Sequence, residues 1–123
     1  MNVNFTVFID KILSGEKRQT IRKAGGKWEN VKVGDKLTLY TGLRTKECRK
    51  LGEAEVESIE DIIITKNESV IVNAHYWSFE LIYELAKKDG FERVEDFYKF
   101  FNEHYGNNFK GKIIKWKNFR KAE

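Results

Sequence analysis

The chain has 123 residues, 41% of them hydrophobic and 34% charged, with nine Phe, five Tyr, three Trp and no proline. That is enough apolar mass for one independently folding domain over residues 1–123, and too much for a disordered chain. No apolar run is long enough to span a bilayer, and the start lacks the basic and apolar parts of a secretion signal, so a cytoplasmic protein is expected. A single cysteine, Cys48, excludes an internal disulfide and a cysteine-based zinc site.

The formal charge of +4 is unevenly spread. Residues 1–52 carry 12 Lys and Arg against 5 Asp and Glu, residues 53–103 carry 5 against 13, and residues 104–123 carry 6 against 1. Basic ends around an acidic middle are what a nucleic-acid-facing surface backed by acidic helices would show; ordinary helices with solvated Glu would show it too.

In chain order, Phe8, Ile9, Ile12 and Leu13 recur at helical spacing, with Gly15 placed to end the helix. Next comes "SGEKRQTIRKAGG", Ser14 to Gly26, a nearly all-cationic segment that reads partly as a strand. Lys17 and Thr20 would point to opposite faces of an unbroken strand, so both reach one cleft only if Lys17 sits in the turn after Gly15 or a bulge intervenes. "KAGGK" lacks phosphate-loop and dinucleotide spacing and is expected to be a mobile rim loop.

Lys36 to Tyr40 alternates as a strand, and Glu53 to Ile64 as a longer one with Ala54 and Val56 on one face. Between them lies a second basic cluster, Arg44, Lys46, Arg49 and Lys50, interleaved with Tyr40, Thr41 and Thr45. Its cations could neutralise phosphates while Tyr40 stacks on a base, or could simply solvate a hairpin end. Cys48, among these cations, is expected to be a small buried hydrophobe. Phe79, Ile82, Leu85 and Ala86, then Val94, Phe97, Tyr98 and Phe101, define two helices separated by Gly90. "KGKIIKWKNF" closes the fold as a strand in which Trp116 is expected to be structural. His75 and His104 fit no metal-ligand pattern and are expected to face water or be satisfied in the core. The order of elements points to a small α+β domain with a curled sheet.

The strings "ILSGEKRQTIR", "VGDKLTLYTGLRTKECRKLGEAEV", "AKKDGFERVEDFYKFFNEHYG" and "FKGKIIKW", in this order, closely resemble the ASCH domain family. The resemblance spans nearly the whole chain. It implies a PUA-like curled β-barrel with flanking helices and a cleft holding the G-x-K-x-x-T-x-R motif. The superfamily is associated with RNA binding, and one bacterial branch consists of N4-acetylcytidine amidohydrolases that work through a Lys, a Thr and an acid. Carried over, these are Lys17, Thr20 and Asp89, the last standing where that branch has Glu, with Arg22 completing the motif.

Amide hydrolysis needs a nucleophile, a base and donors for the oxyanion. Thr20 is the candidate nucleophile, or positions a water. Lys17 serves as base if its pKa is lowered by burial and by neighbours such as Arg18 and Arg22. Without a site, Lys17 would be a solvated turn residue, Thr20 a β-former and Arg22 half of a surface ion pair. Three functions therefore stand: recognition of RNA or a modified nucleoside by Lys17, Arg18, Gln19, Arg22, Tyr40, Arg44, Lys46, Arg49 and Lys50; a small amidohydrolase; and a protein-interaction adaptor. None calls for a metal or a cofactor.

Overall fold

In the computed structural model, which describes residues 1–106 and 108–123, both alternating segments form strands, and the second lies within the longest of them. β1 is Asn2–Phe5, followed by α1 at Ile9–Leu13, β2 at Gln19–Lys23 and a 3-10 turn at Gly26–Asn30. β3 covers Lys36–Thr41, β4 Arg49–Ile64, β5 Val70–Val72 and β6 His75–Tyr76. Helices α2, Phe79–Asp89, and α3, Val94–Tyr105, precede β7 at Phe109–Lys121.

All seven strands belong to one mixed sheet in which β1 runs parallel to β3 and the other pairings are antiparallel. β7 is the spine, pairing β4 along one side and β2 along the other. Among the described residues β2 has β7 as its sole strand partner, and the sheet does not close on itself.

Strand alternation explains how one sheet serves two cores. On β7, the fully buried neighbours Ile113 and Ile114 face opposite ways. Ile113 packs with Ile62, Ile64, Phe97 and Phe101 under α2 and α3. Ile114 packs with Val3, Leu37, Val56 and Trp116 on the side of α1. β4 feeds both cores with residues of even number, Ala54 and Val56 on one side, Ile62 and Ile64 on the other. An uninterrupted strand would put all four on one face; the register shift between Val56 and Ser58 turns the strand over.

Helix α2 starts where the Ser78 hydroxyl accepts the N–H of Leu81 at 3.4 Å, and ends at Gly90, whose φ of +115° needs glycine. Its buried positions are Ile82, Leu85, Ala86 and Asp89. The apolar stripe therefore ends in a carboxylate, placed where the period calls for a core residue.

Candidate functional site

Chain reversal after α1 delivers Lys17 inward. Gly15, at φ +83°, donates its N–H to the Ile12 carbonyl at 3.1 Å, and the Lys17 N–H returns to the Lys11 carbonyl at 2.9 Å. Lys17 thus precedes β2, and strand parity does not constrain it. Lys17 and Thr20 line the same cleft, the outcome that the glycine turn makes possible.

Lys17 is 5% exposed and Asp89 6%. Lys17 Nζ lies 3.2 Å from Asp89 Oδ1 and also donates to the Asp89 main-chain carbonyl. That carbonyl is at the C-terminal end of α2, where the helix dipole favours a cation. Lys11 secures the next peptide, donating to the Gly90 carbonyl at 2.7 Å and to Glu92 at 2.8 Å. Gln19, 2% exposed, donates to Asp89 Oδ1 at 3.3 Å and so helps to position the acid.

Burial pushes the Lys17 pKa below the usual lysine range, against the opposing pull of Asp89. Arg22 and Lys11 lower it further. The sequence pointed to Arg18 as a second neighbouring cation; Arg18 is exposed on another surface, and Lys11 takes that part. A lowered pKa favours the neutral amine relative to a lysine in water.

Thr20 is buried, and its Oγ1 accepts a 2.8 Å hydrogen bond from Arg22 Nε. Arg22 also donates to the Asn4 carbonyl at 2.7 Å and lies 4.9 Å from the Phe5 ring centroid and 5.9 Å from that of Trp28. Among the described residues no carboxylate lies within ion-pair distance of Arg22, so it is not half of a surface ion pair. Its cation is held by a hydroxyl, a carbonyl and two aromatic faces.

Lys17, Thr20, Arg22 and Asp89 share a cavity of about 250 Å³ walled by Phe8, Phe91, Phe100, His104 and Tyr105. The volume falls just under the ~300–1,000 Å³ of drug-sized sites and suits one planar ring with a small substituent. The aromatic walls went unread in the sequence because they arrive from three separate segments. His104 is exposed and stacks on Phe100 with centroids 4.1 Å apart, its Nδ1 2.8 Å from the Phe100 carbonyl. When Nδ1 carries the proton, Nε2 is left free to accept.

The second basic cluster is not part of this cavity. Tyr40, Arg44, Lys46, Arg49 and Lys50 occupy the β3–β4 hairpin end, and none of them lines the cleft. Lys50 is engaged with Glu53 at 3.2 Å. The charges of Arg44 and Arg22 both help to lower the Lys27 pKa, after the larger effect of burial. Cys48 is exposed in this loop and not buried on a strand. "KAGGK" is exposed and leads into the 3-10 turn, where the next residue, Trp28, is buried and its carbonyl accepts from Lys112 at 2.9 Å.

A wider groove of about 710 Å³ brings together Arg18, Lys88, Lys115, Lys117 and Lys121, with Glu16 and Glu57 among them. Apart from Arg18, its cations escaped the sequence reading. The signal was present in "KWKNFRK", where Lys115 and Lys117 alternate on one strand face. Among the described residues no group of His, Cys, Asp and Glu is arranged to hold a metal ion, and no helix is long and apolar enough to cross a membrane. Comparison with known protein families, curated proteins and solved structures finds no match to this chain.

Proposed function

We propose that the protein is an ASCH-type amidohydrolase that removes an acyl group from the exocyclic amine of a pyrimidine nucleoside of the N4-acetylcytidine kind. One observation carries the reading: Lys17 is buried, paired with Asp89 and depressed in pKa, in the same base-sized cleft as Thr20 and Arg22. Cations that serve only to neutralise phosphates must be reachable from solvent, and Lys17 is not. The bulged, turning β4 supports the PUA-like curled sheet that goes with this proposal. A cytoplasmic location is proposed with it.

In the scheme, the Thr20 hydroxyl attacks the acyl carbonyl as neutral Lys17 takes its proton. Arg22 orients Thr20 Oγ1 and supplies positive charge near the developing oxyanion. Asp89 stabilises the resulting ammonium, which then gives the proton to the exocyclic nitrogen as its bond to the acyl carbon breaks. Water, deprotonated by the same lysine, then attacks the acyl-Thr20 ester, and the lysine returns that proton to Thr20 Oγ1 as the acyl group leaves as a carboxylic acid. Phe8, Phe91 and Phe100 exclude bulk water and offer faces for the ring.

The test is turnover of N4-acetylcytidine by the purified protein, followed by chromatography, with Thr20→Ala as control. The expected outcome is release of cytidine by the parent and a loss of about 10³-fold or more in the variant. No release by the parent, or equal turnover by both, would overturn the reading. The cationic groove favours a second reading, recognition of RNA. Its signature would be affinity that falls steeply with salt and does not depend on Thr20.

A further inference from the structure

A third cavity, of about 350 Å³, opens on the opposite chemistry. It is lined by Tyr76, Trp77, Phe79 and Tyr98, by Glu68 and Glu95, and by Ser69, with Ile82 and Val94 as apolar surface. No lysine or arginine lines it, although the chain has 23 of them and each of the other three described cavities carries at least two. Tyr76 is 76% exposed and Phe79 67%, large aromatic surfaces left in water at the cavity mouth.

The wall is built, not incidental. Glu68 holds a left-handed φ of +60°, a conformation that non-glycine residues rarely adopt. Tyr98 fixes it there, its hydroxyl donating to the Glu68 carbonyl at 2.9 Å. Thr65 closes the same turn, its Oγ1 accepting from the Ser69 N–H at 3.1 Å. Glu95 is engaged by Arg93 at 3.3 Å, whereas Glu68 has no cation within ion-pair distance among the described residues.

We propose that this cavity, between the β4–β5 turn, β6 and α2, binds an alkylated ammonium group carried by a small molecule. Aromatic faces attract cations through their ring quadrupoles, and the attraction is strongest when the cation is poorly hydrated. A primary ammonium is strongly hydrated and would lose that hydration against Ile82 and Val94, whereas a quaternary head group presents methyls to them and charge to Glu68. The volume lies at the small end of small-molecule sites. The inference is independent of the Lys17 cleft and stands or falls apart from the hydrolase reading.

The experiment titrates choline, and separately its uncharged isostere 3,3-dimethylbutan-1-ol, into the protein while the three tryptophan indole N–H signals are followed by NMR. Trp77 lines the cavity, whereas Trp28 and Trp116 are buried elsewhere and report on fold integrity. Choline is expected to shift the Trp77 signal saturably and to bind roughly three- to thirty-fold tighter than the isostere. Phe79→Ala and Glu68→Gln should each weaken choline by about three-fold or more, with the other two indole signals unmoved. Equal binding of the two probes, an unmoved Trp77 signal, or choline affinity unchanged by Phe79→Ala would overturn the proposal.

Discussion

Replacing Asp89 by Asn keeps the shape of the side chain and removes its charge beside a buried lysine. The carboxylate oxygen lies 3.2 Å from Lys17 Nζ, which at an effective dielectric constant near 20 corresponds to about 5 kcal/mol of attraction, offset in the parent by desolvation of both groups. Leaving one member of such a pair behind costs about 3–5 kcal/mol. Lys17 has one way to escape that penalty, which is to release its proton. Its folded pKa already lies below the unfolded value because burial outweighs the pull of Asp89, and without the carboxylate it falls further. At pH values under the variant's folded Lys17 pKa, the ammonium is buried and unpaired, and the full loss is expected. As pH rises through that pKa the folded protein sheds a proton that the unfolded chain still holds, so the variant gains stability relative to the parent and the gap narrows.

Urea denaturation followed by tryptophan emission, from about pH 6 to about pH 10, measures this directly; the denaturant slope should stay constant. A loss under about 1 kcal/mol, or one that is the same at every pH, would refute the electrostatic account. The double substitution Lys17→Met with Asp89→Leu is expected to be less destabilised than either single change, since it leaves no orphaned charge.

If neutral Lys17 is the base, kcat/KM should rise with pH along a limb set below the ordinary lysine range, and Asp89→Asn should move that limb to lower pH. Gly90→Ala places a methyl 2.6 Å from the Phe8 ring at φ +115°, and is expected to lose about 1–3 kcal/mol while displacing Asp89, measured by thermal unfolding and activity together. On single-stranded RNA, Lys115→Gln and Lys117→Gln should each reduce the log–log salt slope of binding by about 0.7 if the groove holds phosphates, and leave nucleoside turnover intact.

The sequence carried the elements with strong periodicity, and lost those whose identity is set at a distance. β3, β4, α2, α3 and β7 announce themselves by alternation or helical spacing, and α1 by its glycine stop. β1 does not, because four residues are too few for a period and its partner β3 begins more than 30 positions on. β5 and β6 escaped for the same reason of length. The Gly-rich segment looked loose because glycine freedom is visible locally, while the burial of Trp28 against Phe5 and Arg22 is a tertiary fact. Asp89 was reached in the sequence only through the resemblance to a family, and its place as a carboxylate at an apolar position of α2 is a fact of the structure. The neighbours that tune Lys17 were not legible, since Lys11 reaches it only through the reversal at Gly15.

The strand that carries Thr20 and Arg22 is hydrogen-bonded to β7, and Arg22 meets it at Lys112, ninety positions later. Closing a loop of that length carries an entropic cost before any contact in the cleft repays it. The cleft is therefore expected to assemble late in folding, after the β3–β4 hairpin and the α2–α3 pair, which are local in sequence, have formed. A nascent chain that has exposed Lys17, Thr20 and Arg22 but not yet β7 has the motif without the site. Activity should thus track docking of β7 more closely than recovery of helical signal, and substitutions along the β2–β7 seam, whose contacts form late, should speed unfolding more than they slow folding.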